Sequence, residues 1–313
     1  KASINIYNEK KVSVKDDMTG LFFEDINYGA DGGLYAELLE NRNFEFFRSE
    51  PGISKGDWIS EYEGLYGWKE FGDASLRIVS ASPYAEENPH YLRFTSKENF
   101  AGFTNKAYDG ITLQKDMTYN VSFYCRNVGK ADNVRIYVKD LTGKEYGSVE
   151  IKLQKNTDEE LKPWIKYNAV LKAKESIRHG IFTVEVSDPS VLEFDFFSMI
   201  PSDAVCGIFR KDLYDKLDAI HPGFIRFPGG CIIEGSTLLN RYDFKKTLRP
   251  LEKRTSNWSR WAVHHTWQPH KVEDGPEYYP YYNQTYGIGY YEFFLLCEKL
   301  NCKPLPVLNV GLA

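Results

Sequence analysis

The sequence predicts a multi-domain α+β protein in which a jelly-roll β-sandwich is inserted into the first βα units of an incomplete TIM (β/α)8 barrel. Three observations lead there. Residues 51–200 contain only short alternating strands. Segments with a helical period, each leading into an apolar strand, lie outside that stretch. Those outer segments supply at most three parallel strands, whereas a closed barrel needs eight.

Residues 1–50 read as the first barrel strand and its following segment. A strand-like opening, ASINIYN, precedes the apolar run LFFEDIN at 21–27 and a turn bearing Gly29, Gly32 and Gly33. Leu34, Leu38 and Leu39 then take the spacing of a helix face. Between 51 and 200 come eight runs rich in β-branched and aromatic residues: SLRIVS, HYLRFTS, YNVSFYCR, NVRIYVKD, SVEIKL, KYNAVLKA, GIFTVEVS and VLEFDFFSM. Gly, Asn, Asp or Pro bounds each, which is the pattern of a sandwich.

Residues 201–313 return to βα order. Phe209, Leu213, Leu217 and Ile220 form a helical stripe that His221-Pro222-Gly223 ends, because Pro cannot continue a helix and Gly tolerates the reversal. FIRFPGG reads as a buried strand closing on a Gly pair. After a long loop, Tyr290, Phe293, Phe294, Cys297 and Leu300 mark a second helix, and residues 305–310 a third parallel strand. The end at VLNVGLA fits a barrel cut short, and an open three-stranded α/β sheet is the alternative.

Composition narrows the function. With 39 Lys and Arg against 44 Asp and Glu, the net charge of -5 offers no positive field for a nucleic-acid backbone. No apolar run approaches a membrane span, so neither nucleic acid nor membrane is an expected partner. The start KASINIYNEK lacks a signal-peptide core, which leaves a cytoplasmic protein or one whose signal has been removed. Five scattered cysteines lack zinc or redox spacing, so neither a metal nor any other cofactor is expected. Aromatic residues make up 15% of the chain, which suits sugar stacking and strand cores alike.

Chemistry concentrates in three places. Glu24-Asp25 closes an apolar strand, and alternation turns one carboxylate toward the ligand side and the other away; a buried ion pair is the structural alternative. Arg226, between two aromatic residues of FIRFPGG, needs an acceptor, and Glu24 on the neighbouring strand is the expected one. The loop 240–288 carries Trp258, Trp261, Trp267, His264, His265, His270 and EYYPYYNQTY, as a sugar-binding wall would, while its histidines read as hydrogen-bonding or solvated groups. Trp58, Tyr62, Tyr66, Trp68 and Trp164 suit either a stacking platform or core packing, with packing favoured.

The blocks LFFEDINYGADGGLYAELLENRNFEF, FIRFPGGCIIEGSTLLNRYDFKKTLRPLEKR and GIGYYEFFLLCEKLNCKPLPVLNVG, in that order, resemble the N-terminal part of α-L-arabinofuranosidases of glycoside hydrolase family 51. The resemblance implies a barrel interrupted by a jelly roll akin to carbohydrate-binding modules. It implies retaining hydrolysis of terminal arabinofuranosyl groups of arabinan or arabinoxylan, by two glutamates about 5 to 5.5 Å apart. Both would fall on later barrel strands, so the resemblance assigns no catalytic residue to this chain, which alone is expected to be inactive. It assigns substrate binding to Glu24 and Arg226, and to Cys231, which stands where many relatives have Asn. Trp261 and Asn309 are further pocket candidates. The expected partner is an arabinose-containing polysaccharide or oligosaccharide, with an extracellular or periplasmic location and an oligomer open to the full-length enzyme. A non-catalytic carbohydrate-binding protein working through the sandwich, or an interaction domain without sugar function, are the alternatives.

Overall fold

The computed structural model describes residues 3–5, 7, 13, 15–51, 58–129, 131–154, 163–235, 237–259 and 282–311. All eight anticipated strands of the central stretch are present, within two sheets. One sheet runs in the order Glu145–Lys152, Asn133–Lys139, Ile177–Val186, Ala101–Asn105, Trp68–Phe71, with Ile111–Leu113 also paired to Ile177–Val186. The other runs Ile165–Lys172, Thr118–Asn127, Val191–Pro201, Tyr91–Ser96, Ala74–Val79. All of these pairings are antiparallel.

Alternation explains how the two sheets share one core. On Thr118–Asn127, Tyr119, Val121, Phe123 and Cys125 enter the buried cluster, while Asn120, Ser122, Tyr124 and Arg126 take the opposite face. Phe103 of one sheet meets Phe94 and Phe194 of the other, with ring centroids 5.8 and 5.4 Å apart. Trp68 sits in the same core, its indole N–H donating to the Asn41 carbonyl at 2.9 Å. Much of the aromatic content is therefore interior packing.

The strands Leu21–Phe22, Phe224–Phe227 and Lys303–Pro306 form a separate parallel sheet, with Phe224–Phe227 in the centre. Helix Tyr290–Lys299 buries Phe293 against it, stacked on Phe227 at 4.6 Å. Helix Lys211–Ile220 stops at His221, which takes a left-handed φ of 50°. It starts two positions after Phe209, which is instead buried in an extended segment bridged to Tyr35.

One expected helix is absent. After a wide turn at Ala30–Leu34, residues 36–46 run irregularly through the interior. Glu37, Glu40, Arg42 and Glu45 are all buried there, and two carboxylates replace helical hydrogen bonding: Glu37 Oε1 accepts from the Leu39 and Met199 amides, and Glu45 accepts from the His90 amide. Asn41 and Phe44 take positive φ, which ends any helical path. The sandwich is stitched to the other part through polar side chains. Asn88, fully buried, donates to the carbonyls of Glu252 and Arg254 at 2.9 and 3.0 Å, and Asn283 exchanges two hydrogen bonds with the backbone of Phe47.

Candidate functional site

The structure gathers four of the five predicted site residues at the C-terminal ends of the parallel strands. Phe22 is in register with Arg226, and pairing continues beyond the strand through Phe23 N–H to Arg226 O and Asp25 N–H to Pro228 O, at 2.8 and 2.7 Å. The chain thus stays extended through Glu24, so Glu24 and Asp25 point to opposite faces. The face carrying Phe22 and Arg226 is open, with Phe22 55% exposed; the other buries Ile225 and Phe227.

Glu24 and Arg226 converge on the Gly pair. Glu24 Oε1 accepts from the Gly230 N–H at 3.3 Å, and a Cβ on Gly230 would lie 3.7 Å from Arg226 Nη2. Gly229 has φ +149°, and a Cβ there would meet Glu24 Cγ at 2.6 Å and Ile232 Cγ2 at 2.4 Å. The glycine therefore makes room for the glutamate. The anticipated Glu24–Arg226 ion pair is not formed: the guanidinium lies over the Phe22 ring, 4.4 Å from its centroid, and Glu24 takes a backbone donor instead. Carboxylate and guanidinium are both left with capacity for sugar hydroxyls.

Cys231 is exposed at the start of the short helix Cys231–Glu234. Asn309 lies beside that helix, its Nδ2 donating to the Ile233 carbonyl at 2.9 Å and its Oδ1 accepting from Gly311 at 2.7 Å. Its amide thus fixes the helix that follows the Gly pair. Trp261 falls outside the described residues, as do the three loop histidines. Of the described aromatic residues after that segment, Tyr282, Tyr286 and Tyr290 are buried, the latter two in the core beneath the parallel sheet, whereas Tyr291 and Phe294 on the helix Tyr290–Lys299 are exposed.

Behind Glu24 stands a network that the sequence reading left open. Asp25 is 1% exposed and has hydrogen bonds in place of an ion pair, from the Tyr282 hydroxyl and from Gln284 Nε2, the latter at 2.8 Å. Burial, with the nearby Asp31 carboxylate, pushes Asp25 up to about 7, against the pull of those donors. Asp31 is raised by burial and accepts from Thr285. Tyr282 and Gln284 are thereby pinned to the end of the first strand, and Thr285 to the turn that follows it. The adjacent acid in the Glu-Asp pair was the one sequence signal for this network. Further along, Arg254 makes a buried two-pronged pair with Glu292 at 2.9 and 2.8 Å, and Glu292 Oε2 also caps Gly289 N–H at 2.8 Å. Among the described residues, no group of three or more His, Cys, Asp or Glu is placed to hold a metal ion.

Among the described residues, the aromatic side chains of the sandwich form no single platform. Trp68 is core, Tyr66 stacks on Phe46 at 3.8 Å, and Tyr62 stacks on His90 at 4.2 Å. Trp164 covers Arg126, whose Cζ is 4.6 Å from the ring centroid. The side chain of Trp58 is not among those described.

Comparison with known proteins gives two family matches: a carbohydrate binding domain over residues 36–198 and an α-L-arabinofuranosidase 1 domain over residues 216–313. The chain is 31% identical to the extracellular exo-α-L-arabinofuranosidase of Streptomyces chartreusis, over 95% of this chain and 33% of the relative. It is 28% identical to α-L-arabinofuranosidase 1 of Arabidopsis thaliana, over 96% of this chain and 41% of the relative. The chain thus spans less than half the length of these relatives. The solved arabinose-bound structure of the α-L-arabinofuranosidase MgGH51 shares the fold, with a TM-score of 0.80 at 24% identity, over 98% of this chain and 46% of that one.

Proposed function

From a chain that belongs to the carbohydrate binding domain family across residues 36–198, and that is the N-terminal part of a glycoside hydrolase family 51 α-L-arabinofuranosidase, we propose the sugar-holding half of a retaining enzyme. Its substrates are terminal arabinofuranosyl groups of arabinan or arabinoxylan. The observation that carries this reading is the convergence of Glu24 and Arg226 on Gly230 at the carboxyl ends of parallel strands, where barrel enzymes place their sites.

On this reading the three parallel strands open a (β/α)8 barrel, whose later strands cover the face now showing Phe22 and Leu305, 55% and 48% exposed. The sandwich is a jelly roll inserted after the first strand and its following segment. Glu24 accepts from ring hydroxyls, and Arg226 orders the carboxylates brought by later strands. Cys231 and Asn309 border the pocket, and Trp261 is placed there by resemblance alone. Both catalytic glutamates belong to the rest of the enzyme, outside this chain, and the enzyme is exported, as the name of the Streptomyces relative says of that protein.

Hydrolysis of a nitrophenyl α-L-arabinofuranoside tests the reading. The full-length enzyme turns it over and this chain alone does not. Heat-labile turnover by the chain alone, or none by the full-length protein, overturns it.

A further inference from the structure

Two of the five cysteines come together where the helix Tyr290–Lys299 turns into the third parallel strand. The turn is made by Asn301, which takes a left-handed φ of 51°. Across it the Asn301 N–H donates to the Glu298 carbonyl at 3.1 Å, and the Cys302 N–H donates to the Cys297 carbonyl at 2.9 Å. These are the two hydrogen bonds of a Schellman motif, which folds the second residue past the helix cap back onto the third-last residue of the helix. The side chains at those two positions commonly meet in an apolar contact. Here both are cysteines.

The contact is direct. The Cys297 thiol donates a hydrogen bond to the Cys302 sulfur. Cys297 belongs to the buried cluster beneath the parallel sheet, 1% exposed, and Cys302 packs against that cluster from its edge. Cys302 is only part-buried, so it is the member that a reagent in solution reaches first. The other three cysteines lie elsewhere: Cys125 in the sandwich core, Cys206 and Cys231 exposed on other segments. A backbone turn, and not a zinc or redox spacing, therefore sets this pairing.

We propose that Cys297 and Cys302 are a disulfide-forming pair, whose oxidation locks the turn between the helix and the strand Lys303–Pro306. The oxidant is a small-molecule disulfide. The Cys302 thiolate attacks one of its sulfurs, which forms a mixed disulfide and releases the first thiol. The Cys297 sulfur then attacks the Cys302 sulfur and expels the second thiol. Two protein thiols are oxidised, one disulfide is reduced to two thiols, and the two protein protons pass to the departing thiolates. The chain leaving the strand carries Asn309, whose amide holds the helix Cys231–Glu234, so the bond braces the strand that borders the Gly pair.

Oxidation of the fully reduced, folded whole chain with oxidised glutathione, followed by alkylation, denaturation and tryptic digestion without reductant, tests the proposal. Trypsin cuts after Lys299, between the two cysteines, so the bond shows as two peptides held together, lighter than their sum by two hydrogens and separated by reductant. That linked pair is the main form in which Cys297 and Cys302 are recovered, and oxidation raises the melting temperature by about 5 °C. Cys302→Ser gains nothing from the same treatment. Recovery of Cys297 as the alkylated thiol, of Cys302 as its glutathione adduct, or of either one linked to another cysteine overturns the pairing, as does a melting temperature that oxidation leaves unchanged or lowers.

Discussion

Glu24 is held by Gly230: its Oε1 accepts from the backbone N–H of the second glycine of the Pro-Gly-Gly turn, across the pair of parallel strands. A carboxylate fixed by backbone rather than by a neighbouring cation keeps its charge available for a ligand. That explains why the adjoining Arg226 lies over Phe22 and not on Glu24.

The Gly pair should show unequal tolerance. Gly229→Ala places a methyl group 2.6 Å from Glu24 Cγ at a φ of +149°, so it should displace Glu24 and cost about 1–3 kcal/mol through backbone strain. Gly230→Ala meets only Arg226 Nη2, at 3.7 Å, and should be nearly neutral in stability. Thermal melts and kcat/KM of the full-length enzyme check both; equal effects at the two positions would refute the packing argument.

Removing one member of the Arg254–Glu292 pair should be among the most damaging single changes. Both side chains are under 10% exposed, at 7% and 8%, so Glu292→Ala leaves a buried guanidinium uncompensated and should cost about 3–5 kcal/mol. Urea unfolding measures it, and a loss below about 1 kcal/mol, the range of exposed pairs, would contradict the buried geometry.

Asp25 predicts an inverted pH dependence. Its folded-state value, raised to about 7 from an ordinary 3.8, means that the folded protein binds a proton more tightly than the unfolded chain. Its contribution is therefore fully present below pH ~4, declines as pH rises and levels off above ~7, with a span on the order of 4 kcal/mol. Asp25→Asn replaces one of the two acceptor oxygens facing Tyr282 and Gln284 by a donor at every pH, but should gain on the wild type as pH rises from 4 to 7. Parallel stability curves for the two proteins would exclude the assignment.

Local pattern carried much of the fold in advance. The eight sandwich strands and the presence of three parallel strands were legible because alternation and turn residues act over a few positions, although the third strand lies at Lys303–Pro306 and not at 305–310. The helix expected after Gly33 is absent: Leu34, Leu38 and Leu39 mimic a helical face, while the structure also buries Glu37 among them and Glu40 and Arg42 just beyond, in contacts with distant residues. Glu24 and Arg226 were legible from charge placed in apolar strands. The partners of Asp25 were not, because Tyr282 and Gln284 lie more than 250 positions away and reach it only through the fold. Two of the loop aromatics, Tyr282 and Tyr286, misled for a related reason: a Tyr-rich segment reads alike whether it meets sugar or core, and these two meet the interior.

The central claim is that the strand-end pair Glu24 and Arg226 holds the arabinofuranosyl group. The most direct measurement is the steady-state kinetics of full-length Glu24→Gln on a nitrophenyl α-L-arabinofuranoside, with its melting temperature as a control for folding. The account predicts an intact fold and a kcat/KM at least about a hundredfold below wild type, from lost positioning. A folded Glu24→Gln enzyme with wild-type kcat/KM would contradict it.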